Sequence, residues 1–225
     1  MKKLSTLLLL LAIITVTACK DEKKQETMPT TPELTILDKV ANAHGFEAWN
    51  TINQIQFTFN VDRDTTHFER KWTWNTKTNE VTGNSMGQST TYNRKIVDST
   101  TTNINAAFIN DKFWLLAPFQ LVWDAKNFTY DYVADANAPI SNKPMQKLTI
   151  VYGDEGGTTP GDAYDFYFEE DYLLKEWIFR KGNQNEASMT TTWEDYTTIN
   201  GLKIAKTHKK DGENFNLYFT GIEVK

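Results

Sequence analysis

The 225-residue chain has little cysteine, little histidine and no excess of positive charge. Cys19 is its single cysteine, which excludes an intrachain disulfide and leaves no paired thiols for a zinc site. The three histidines stand far apart and form no H-E-x-x-H motif. With 24 basic and 29 acidic side chains, the net charge of −5 disfavours a nucleic-acid partner. We therefore predict no metal, no cofactor and no nucleic acid.

Long apolar runs are also scarce in this sequence. The most prominent one, residues 7–14, follows Lys2 and Lys3 near the start of the chain. A basic start followed by a short apolar run is typical of a secretory signal, and the run is too short to span a bilayer comfortably. We predict a signal peptide over residues 1–18.

The residues that end this predicted signal match the bacterial lipobox: Val16, Thr17 and Ala18 stand directly before Cys19. The lipobox implies cleavage before Cys19, a diacylglycerol on its sulfur and an acyl chain such as palmitate on its new amine. Several acyl chains on one residue anchor a protein stably, whereas a single chain binds only marginally. The sequence therefore predicts a membrane partner through the lipid on Cys19, and no thiol remains for catalysis.

Residues 19–31 are polar and lack apolar periodicity, which predicts a flexible tether. Within it, Lys20, Asp21 and Glu22 resemble the charged tag that exports many Bacteroidetes lipoproteins to the cell surface. Two locations stay open, the cell surface and a periplasm-facing position on the outer membrane. The oligomeric state is not indicated by the sequence.

Residues 32–225 are predicted to form one folded domain that opens with a helix. Thr31 can cap this helix, Pro32 suits its first position, and Gly45 ends it. Apolar side chains recur along one face, at Leu34, Leu37, Val40 and Ala41. A short second turn leads into the first strand.

Beyond that turn the apolar period changes to two, which predicts about 9–11 antiparallel strands. The alternating segments include residues 55–61, 68–74, 164–168, 177–179, 189–193, 202–204 and 215–219. Asn200-Gly201 and Asp211-Gly212 each predict the tight turn of an antiparallel hairpin between candidate strands. Residues 104–124 are apolar nearly all round, and Pro118 requires a break there. We predict two short helices in this stretch, with a strand as the open alternative.

Three segments carry a resemblance to a known family: residues 45–52 (GFEAWNTI), 115–119 (LLAPF) and 154–157 (DEGG). With the long meander they resemble, over residues 34–222, a family of Bacteroidetes outer-membrane lipoproteins that has no established activity. That family is similar to the LolA/LolB-type lipoprotein carriers. The resemblance implies a mainly β (α+β) fold, in which a curved antiparallel sheet forms an open half-barrel and helices cover its concave face.

Candidate catalytic motifs have simpler explanations. Ser85 lies in a G-x-S-x-G pattern, but strand-like sequence follows it, which favours a hairpin loop over a nucleophile elbow. Residues 156–162 have the glycine spacing of a phosphate loop, but Asp162 replaces the lysine, so an acidic surface loop is favoured. Acids at 169–171 and 194–195 are typical of solvated strand edges. We expect His44 to end a helix, and His67 and His208 to face solvent. No catalytic residue is predicted, and we expect no enzyme.

The aromatic content points instead to binding, since the chain has 7 Trp, 9 Tyr and 13 Phe. Many of them share one face of successive strands, which forms either a filled core or a cavity for lipid or an acyl group. The alternatives to lipid binding are a surface interaction or glycan-binding module and, less favoured, a hydrolase. The predicted cavity residues are Phe57, Phe59, Trp72, Trp74, Trp114, Phe119, Trp123, Phe166, Phe168, Trp177, Phe179 and Trp193.

Overall fold

The computed structural model describes residues 33–225. The predicted signal peptide (1–18), the tether (19–31) and the helix cap at Thr31–Pro32 lie outside these residues. The same is true of the lipobox, the lipidation site and the export tag, that is, Val16, Thr17, Ala18, Cys19, Lys20, Asp21 and Glu22. All of these remain predictions. Within the described part, Leu34–Lys225 forms one compact unit that holds the whole described hydrophobic core.

Twelve antiparallel strands in two sheets make up most of this unit. The larger sheet has the order β10-β11-β12-β1-β2-β3-β4, and the smaller has the order β5-β6-β7-β8-β9. The strands of the larger sheet are β1 (Gln54–Arg63), β2 (Thr66–Asn75), β3 (Glu80–Ser85), β4 (Gln88–Asn93), β10 (Glu194–Ile199), β11 (Leu202–Lys209) and β12 (Phe215–Val224). Those of the smaller sheet are β5 (Phe128–Asn137), β6 (Pro144–Tyr152), β7 (Ala163–Phe168), β8 (Leu174–Arg180) and β9 (Met189–Thr192).

The chain passes from one sheet to the other at Trp193, the single residue between β9 and β10. On one side of it β9 pairs with β8, and on the other β10 pairs with β11. Neither sheet closes on itself, and together they have the arrangement of an open, curved half-barrel. The predicted fold class is confirmed. The sequence predicted one strand at 189–193. In the structure, residues 189–199 form β9 in the smaller sheet and β10 in the larger sheet.

The turn chemistry read from the sequence is reproduced in two hairpins. Asn200 and Gly201 both have positive φ and join β10 to β11 as a two-residue turn. The G-x-S-x-G segment is also a hairpin, in which Met86 and Gly87 connect β3 to β4 and Ser85 pairs with Gln88. Asp211-Gly212 lies in a longer loop between β11 and β12, so the tight turn predicted there is wrong.

The first helix, α1 (Ile36–Ala43), begins later than the predicted start at Pro32. Its cap is Thr35, whose side chain accepts from the backbone N–H of Asp38 while the Asp38 carboxylate accepts from the backbone N–H of Thr35. This reciprocal capping box fixes the helix start, and Leu34 is consequently half exposed rather than part of the buried face. His44 ends the helix as predicted, and a 3₁₀ turn (Phe46–Thr51) follows.

The second helix, α2 (Thr102–Trp123), confirms the helical interpretation of the apolar stretch. Leu116 has non-helical dihedral angles (φ −130°, ψ 27°), two residues before Pro118, so the helix is broken where proline removes a backbone donor. Phe108 packs on Trp72 of the larger sheet, and Trp114 packs on Trp177 of the smaller sheet. The core therefore lies between α2 and the inner faces of both sheets. No helix within residues 33–225 is long and apolar enough to cross a membrane.

Several charged and polar side chains are buried, which the period-two pattern did not predict. Asp111 of α2 is fully buried and accepts hydrogen bonds from Arg70 (Nε at 2.8 Å, Nη2 at 2.7 Å) and from Trp72 Nε1 at 2.8 Å. Arg180 likewise contacts the buried Asp165. The prediction that His208 faces solvent is wrong, because its ring is fully buried between Trp114 and Trp193.

Candidate functional site

The twelve predicted cavity residues lie on the inner side of the half-barrel, but they do not surround one open cavity. Ten of them are buried in the packed core: Phe57, Phe59, Trp72, Trp74, Trp114, Phe119, Phe166, Phe168, Trp177 and Trp193. Trp123 and Phe179 are only partly buried. Much of the aromatic face thus contacts α2 directly, and two pockets beside this helix are lined by some of the predicted residues.

The first of these, which we call the apolar pocket, has a volume of about 300 Å³. Three predicted residues line it, Trp114, Trp177 and Phe179. The other lining residues come from α2, β7, β9 and the loop before β7: Ala106, Ile109, Asn110, Phe113, Thr159, Asp162, Tyr164 and Met189. Its volume is at the lower end of the range of about 300–1,000 Å³ for small-molecule sites.

Strand register explains why the aromatic rings of the apolar pocket meet. Tyr164 of β7 pairs with Phe179 of β8, so their side chains point to the same face, as does Trp177 two residues earlier. The Tyr164 ring stacks on Phe179 with centroids 5.1 Å apart, and on Trp177 at 5.3 Å. Phe113 of α2 lies 4.7 Å from Tyr164. These contacts produce a continuous aromatic wall.

The apolar pocket is open on one side. Ala106 and Asn110 at its edge are exposed, and Phe179 and Met189 are partly exposed. At the loop side Tyr164 Oη donates to Thr159 Oγ1 at 3.2 Å, and burial raises the pKa of this tyrosine well above its ordinary value. The rim therefore offers neutral hydroxyl and amide groups beside a mostly apolar interior, with Asp162 as its acidic member.

The second pocket, which we call the charged pocket, has a volume of about 380 Å³ and shares Ile109 with the first. It holds the predicted residues Trp74 and Trp123 together with two basic side chains, Arg94 and Lys112. Sequence reasoning missed both cations. The available signal was Lys112 itself, since a lysine in the middle of an all-round apolar helix must be buried with it.

The residues considered for catalysis do not converge. Ser85 lies in the β3–β4 hairpin. The acids at 169–171 lie in the exposed turn between β7 and β8, where Lys175 contacts Glu169 at 3.7 Å and Asp171 at 3.2 Å. His44 and His208 are buried, and burial lowers their pKa values to about 4 and about 3. Within residues 33–225 no group of three or more His, Cys, Asp or Glu side chains could hold a metal ion.

The chain matches no protein-family model and no curated protein. Among solved structures it is similar to a DUF1329 family protein from Desulfovibrio piger, at 9% identity and a TM-score of 0.49, covering 84% of this chain and 92% of that one. It is also similar to an outer membrane lipoprotein-sorting protein domain from Vibrio parahaemolyticus, at 10% identity and a TM-score of 0.43, covering 84% and 93%.

A further similarity is to MucB of Pseudomonas aeruginosa in its complex with MucA, at 10% identity and a TM-score of 0.28, covering 84% of this chain and 56% of that one. At such identities and TM-scores these likenesses carry no argument about function. The fold assignment rests on the strand pairing of this chain.

Proposed function

We propose that this protein is a non-catalytic, membrane-anchored lipoprotein that binds one small apolar ligand, such as a single acyl chain, in the apolar pocket. The observation that carries the proposal is the aromatic wall of Phe113, Tyr164, Trp177 and Phe179, which remains open on one side although most of the aromatic face is filled. Each methylene buried there contributes about 0.8 kcal/mol.

The pocket volume limits the size of the ligand. About 300 Å³ is the low end of the range for small-molecule sites, so a lipid with several acyl chains does not fit without rearrangement of α2. We infer a ligand with one chain or one compact apolar group. The lipid predicted on Cys19 would hold the domain at the outer membrane, where such ligands are abundant.

Native mass spectrometry of residues 20–225 purified from bacteria tests this proposal. We expect a fraction of the protein to carry an extractable apolar ligand of a single chain. A protein that emerges free of ligand, and that also fails to bind a fluorescent single-chain fatty acid on titration, contradicts it.

A matched pair of variants locates the binding. Ala106 is an exposed residue at the edge of the apolar pocket, so Ala106→Trp fills the opening without entering the core. Asn103 is also exposed on α2 but does not line the pocket, which makes Asn103→Trp the control. We expect the first substitution to abolish fatty-acid binding and the second to leave it unchanged. Equal effects of the two would place the ligand elsewhere.

The alternative function, a surface interaction or glycan-binding module, has one observation in its favour. Tyr130 and Tyr132 are exposed on β5, the edge strand of the smaller sheet, at positions two residues apart. Aromatic rings presented in this way can stack on sugars. Tyr130→Ala together with Tyr132→Ala should then reduce retention on an immobilised glycan array, while leaving fatty-acid binding intact.

A further inference from the structure

Lys112 of the charged pocket is a buried cation without an acidic partner. Its side chain is 4% exposed, and within residues 33–225 it makes no salt bridge with an Asp or Glu carboxylate. The neighbours of its ammonium are the rings of Trp123 and Trp74, with centroids 5.2 and 5.9 Å from Nζ. Lysine is almost never fully buried unless it is paired, because desolvating the ammonium is costly.

Among the described residues, the amide of Gln120 gives Lys112 a close polar contact. In the orientation of the Gln120 amide that satisfies both ends, its oxygen accepts from Lys112 Nζ at 2.7 Å. The amide nitrogen then donates to Asp124 Oδ2 at 3.2 Å and to Thr158 Oγ1 at 2.9 Å. Asp124 is held further by Tyr152 Oη and the Thr158 backbone N–H, each at 3.0 Å. Gln120 therefore lies between the ammonium and the Asp124 carboxylate and contacts both.

Arg94 brings a second positive charge to the same pocket. Its guanidinium lies over the rings of Phe108 and Trp74, at 5.2 and 5.7 Å from their centroids. Its Nε is buried and has no hydrogen-bond partner among the described residues. With Asp124 as the acidic residue in the lining, the charged pocket has an excess of positive charge.

A third donor in this pocket is also unpartnered. Trp74 is buried, and its Nε1 makes no hydrogen bond within the described part of the chain. Buried donors without partners are rare in native structures, and two of them line one pocket beside a buried ammonium. The charged pocket is therefore lined by an ammonium and by two buried donors that no acceptor of the described residues engages.

We propose that the charged pocket binds an oxyanion, a carboxylate or a phosphate, through Lys112, Arg94 and Trp74. The oxygens of such an anion accept hydrogen bonds from N–H donors of this kind and neutralise the excess positive charge, and charge-assisted hydrogen bonds are the strong ones. The site goes beyond the apolar pocket and does not depend on a ligand being bound there.

The titration of Lys112 agrees with this geometry. Burial is the main cause that lowers its pKa to about 7; the nearby Arg94 contributes in the same direction, and Asp124 acts in the opposite direction. Burial likewise lowers the pKa of Arg94. A bound anion would oppose each of these shifts, because it favours the charged form of both side chains.

Isothermal titration calorimetry on residues 20–225, which contain the whole compact unit, tests the site at constant ionic strength and below the lowered pKa of Lys112. The probes are inorganic phosphate, acetate, hexanoate and, as the uncharged match, hexanol. We expect saturable binding of at least one anion and none of hexanol at this site. Tighter binding of hexanoate than of acetate indicates that the natural ligand is the head group of an amphiphile. Equal binding of the two, or a preference for phosphate, indicates that the natural ligand is a free oxyanion.

Variants connect that binding to the pocket. Lys112→Met and Arg94→Gln should each lower the affinity for the anion at least about tenfold. Lys95→Met, which removes an exposed cation next to Arg94, should leave the affinity unchanged. Near-ultraviolet circular dichroism checks that each variant is folded. The proposal fails if no anion binds, or if both pocket variants, correctly folded, keep the affinity of the original chain.

Discussion

Asp111 and Lys112 are consecutive residues of α2, both are buried, and their surroundings differ in one respect. The Asp111 carboxylate accepts from Arg70, Trp72 and Asn110, so its oxygens are fully engaged by partners on the sheet and the helix. The Lys112 ammonium faces aromatic rings, a single amide oxygen and an open pocket. The partners of the Asp111 charge are all groups of the described protein, whereas the Lys112 charge is the one for which we propose an anion as partner.

The largest effect is expected from removing the Asp111 carboxylate, the buried charge that has all its partners. Asp111→Ala leaves the Arg70 guanidinium and the Trp72 indole without their acceptor, and we expect it to lower the free energy of unfolding by about 3–5 kcal/mol. Urea denaturation measures this effect. Asp131→Ala, at an exposed position of β5, is the control and should change stability by less than about 0.5 kcal/mol.

A smaller effect is expected where the Asp111 site is disturbed indirectly. Gly83 of β3 lies against Trp72, so a Cβ at this position would overlap with the indole ring and lie 3.0 Å from Ile104 Cδ1. Gly83→Ala should displace the indole from Asp111 and cost about 1–3 kcal/mol of stability. In the double variant with Asp111→Ala the two losses of stability should be less than additive, because both changes break the same hydrogen bond from Trp72 to Asp111. Strict additivity would show that Gly83 acts separately.

Removing the charge of Lys112 should change the free energy of unfolding in the opposite direction. Lys112→Met replaces a buried ammonium by an apolar side chain of similar length, and we expect the free energy of unfolding in anion-free buffer to rise by about 1–2 kcal/mol. Chemical denaturation of the two proteins side by side checks this. A loss of stability of similar size would mean that the ammonium has a structural role like that of Asp111.

The stability difference between the original chain and Lys112→Met should also depend on pH. The pKa of Lys112 is about 7 in the folded protein and 10.5 ordinarily, so between these values the unfolded chain binds more protons. Stability therefore rises with pH in this window, and the destabilisation is complete below about pH 7 and absent above pH 10.5. As the pH rises through this window, the excess in free energy of unfolding of Lys112→Met over the original chain should decrease by at most about 1.4 kcal/mol per pH unit. A constant difference between pH 6 and pH 10 contradicts a shifted lysine.

The part of the fold that local patterns encode was predictable. Alternating apolar residues such as Phe57 and Phe59 located the strands, because a strand with one buried face needs a period of two. Asn200-Gly201 located a hairpin, since both residues tolerate positive φ. The helix start at Thr35 was missed because Thr31 followed by Pro32 is itself a start signal, although Thr35 and Asp38 have the spacing of a capping box and the structure shows their reciprocal contact.

The candidate sites were predictable only in part. The sequence indicated Trp177, Phe179 and Trp114 as lining residues, because they lie on apolar faces, and the structure brings them to one pocket. It indicated Phe166 and Phe168 by the same rule, and these are buried in the core. Which aromatic rings remain beside open space depends on where α2 crosses the sheets, and periodicity does not contain that information.

From the sequence by itself came the antiparallel β architecture, which the structure confirms, and the lipid anchor on Cys19, which stays a prediction, since each depends on neighbouring residues along the chain. The apolar segment at 104–124 left helix and strand open, and the structure shows the helix α2. The tertiary structure alone decided which charges are satisfied. Arg70 reaches Asp111 across 41 residues, and no carboxylate among residues 33–225 forms a salt bridge with Lys112. The physical reason is that partners for a buried charge come from distant strands, so their presence or absence is a property of packing.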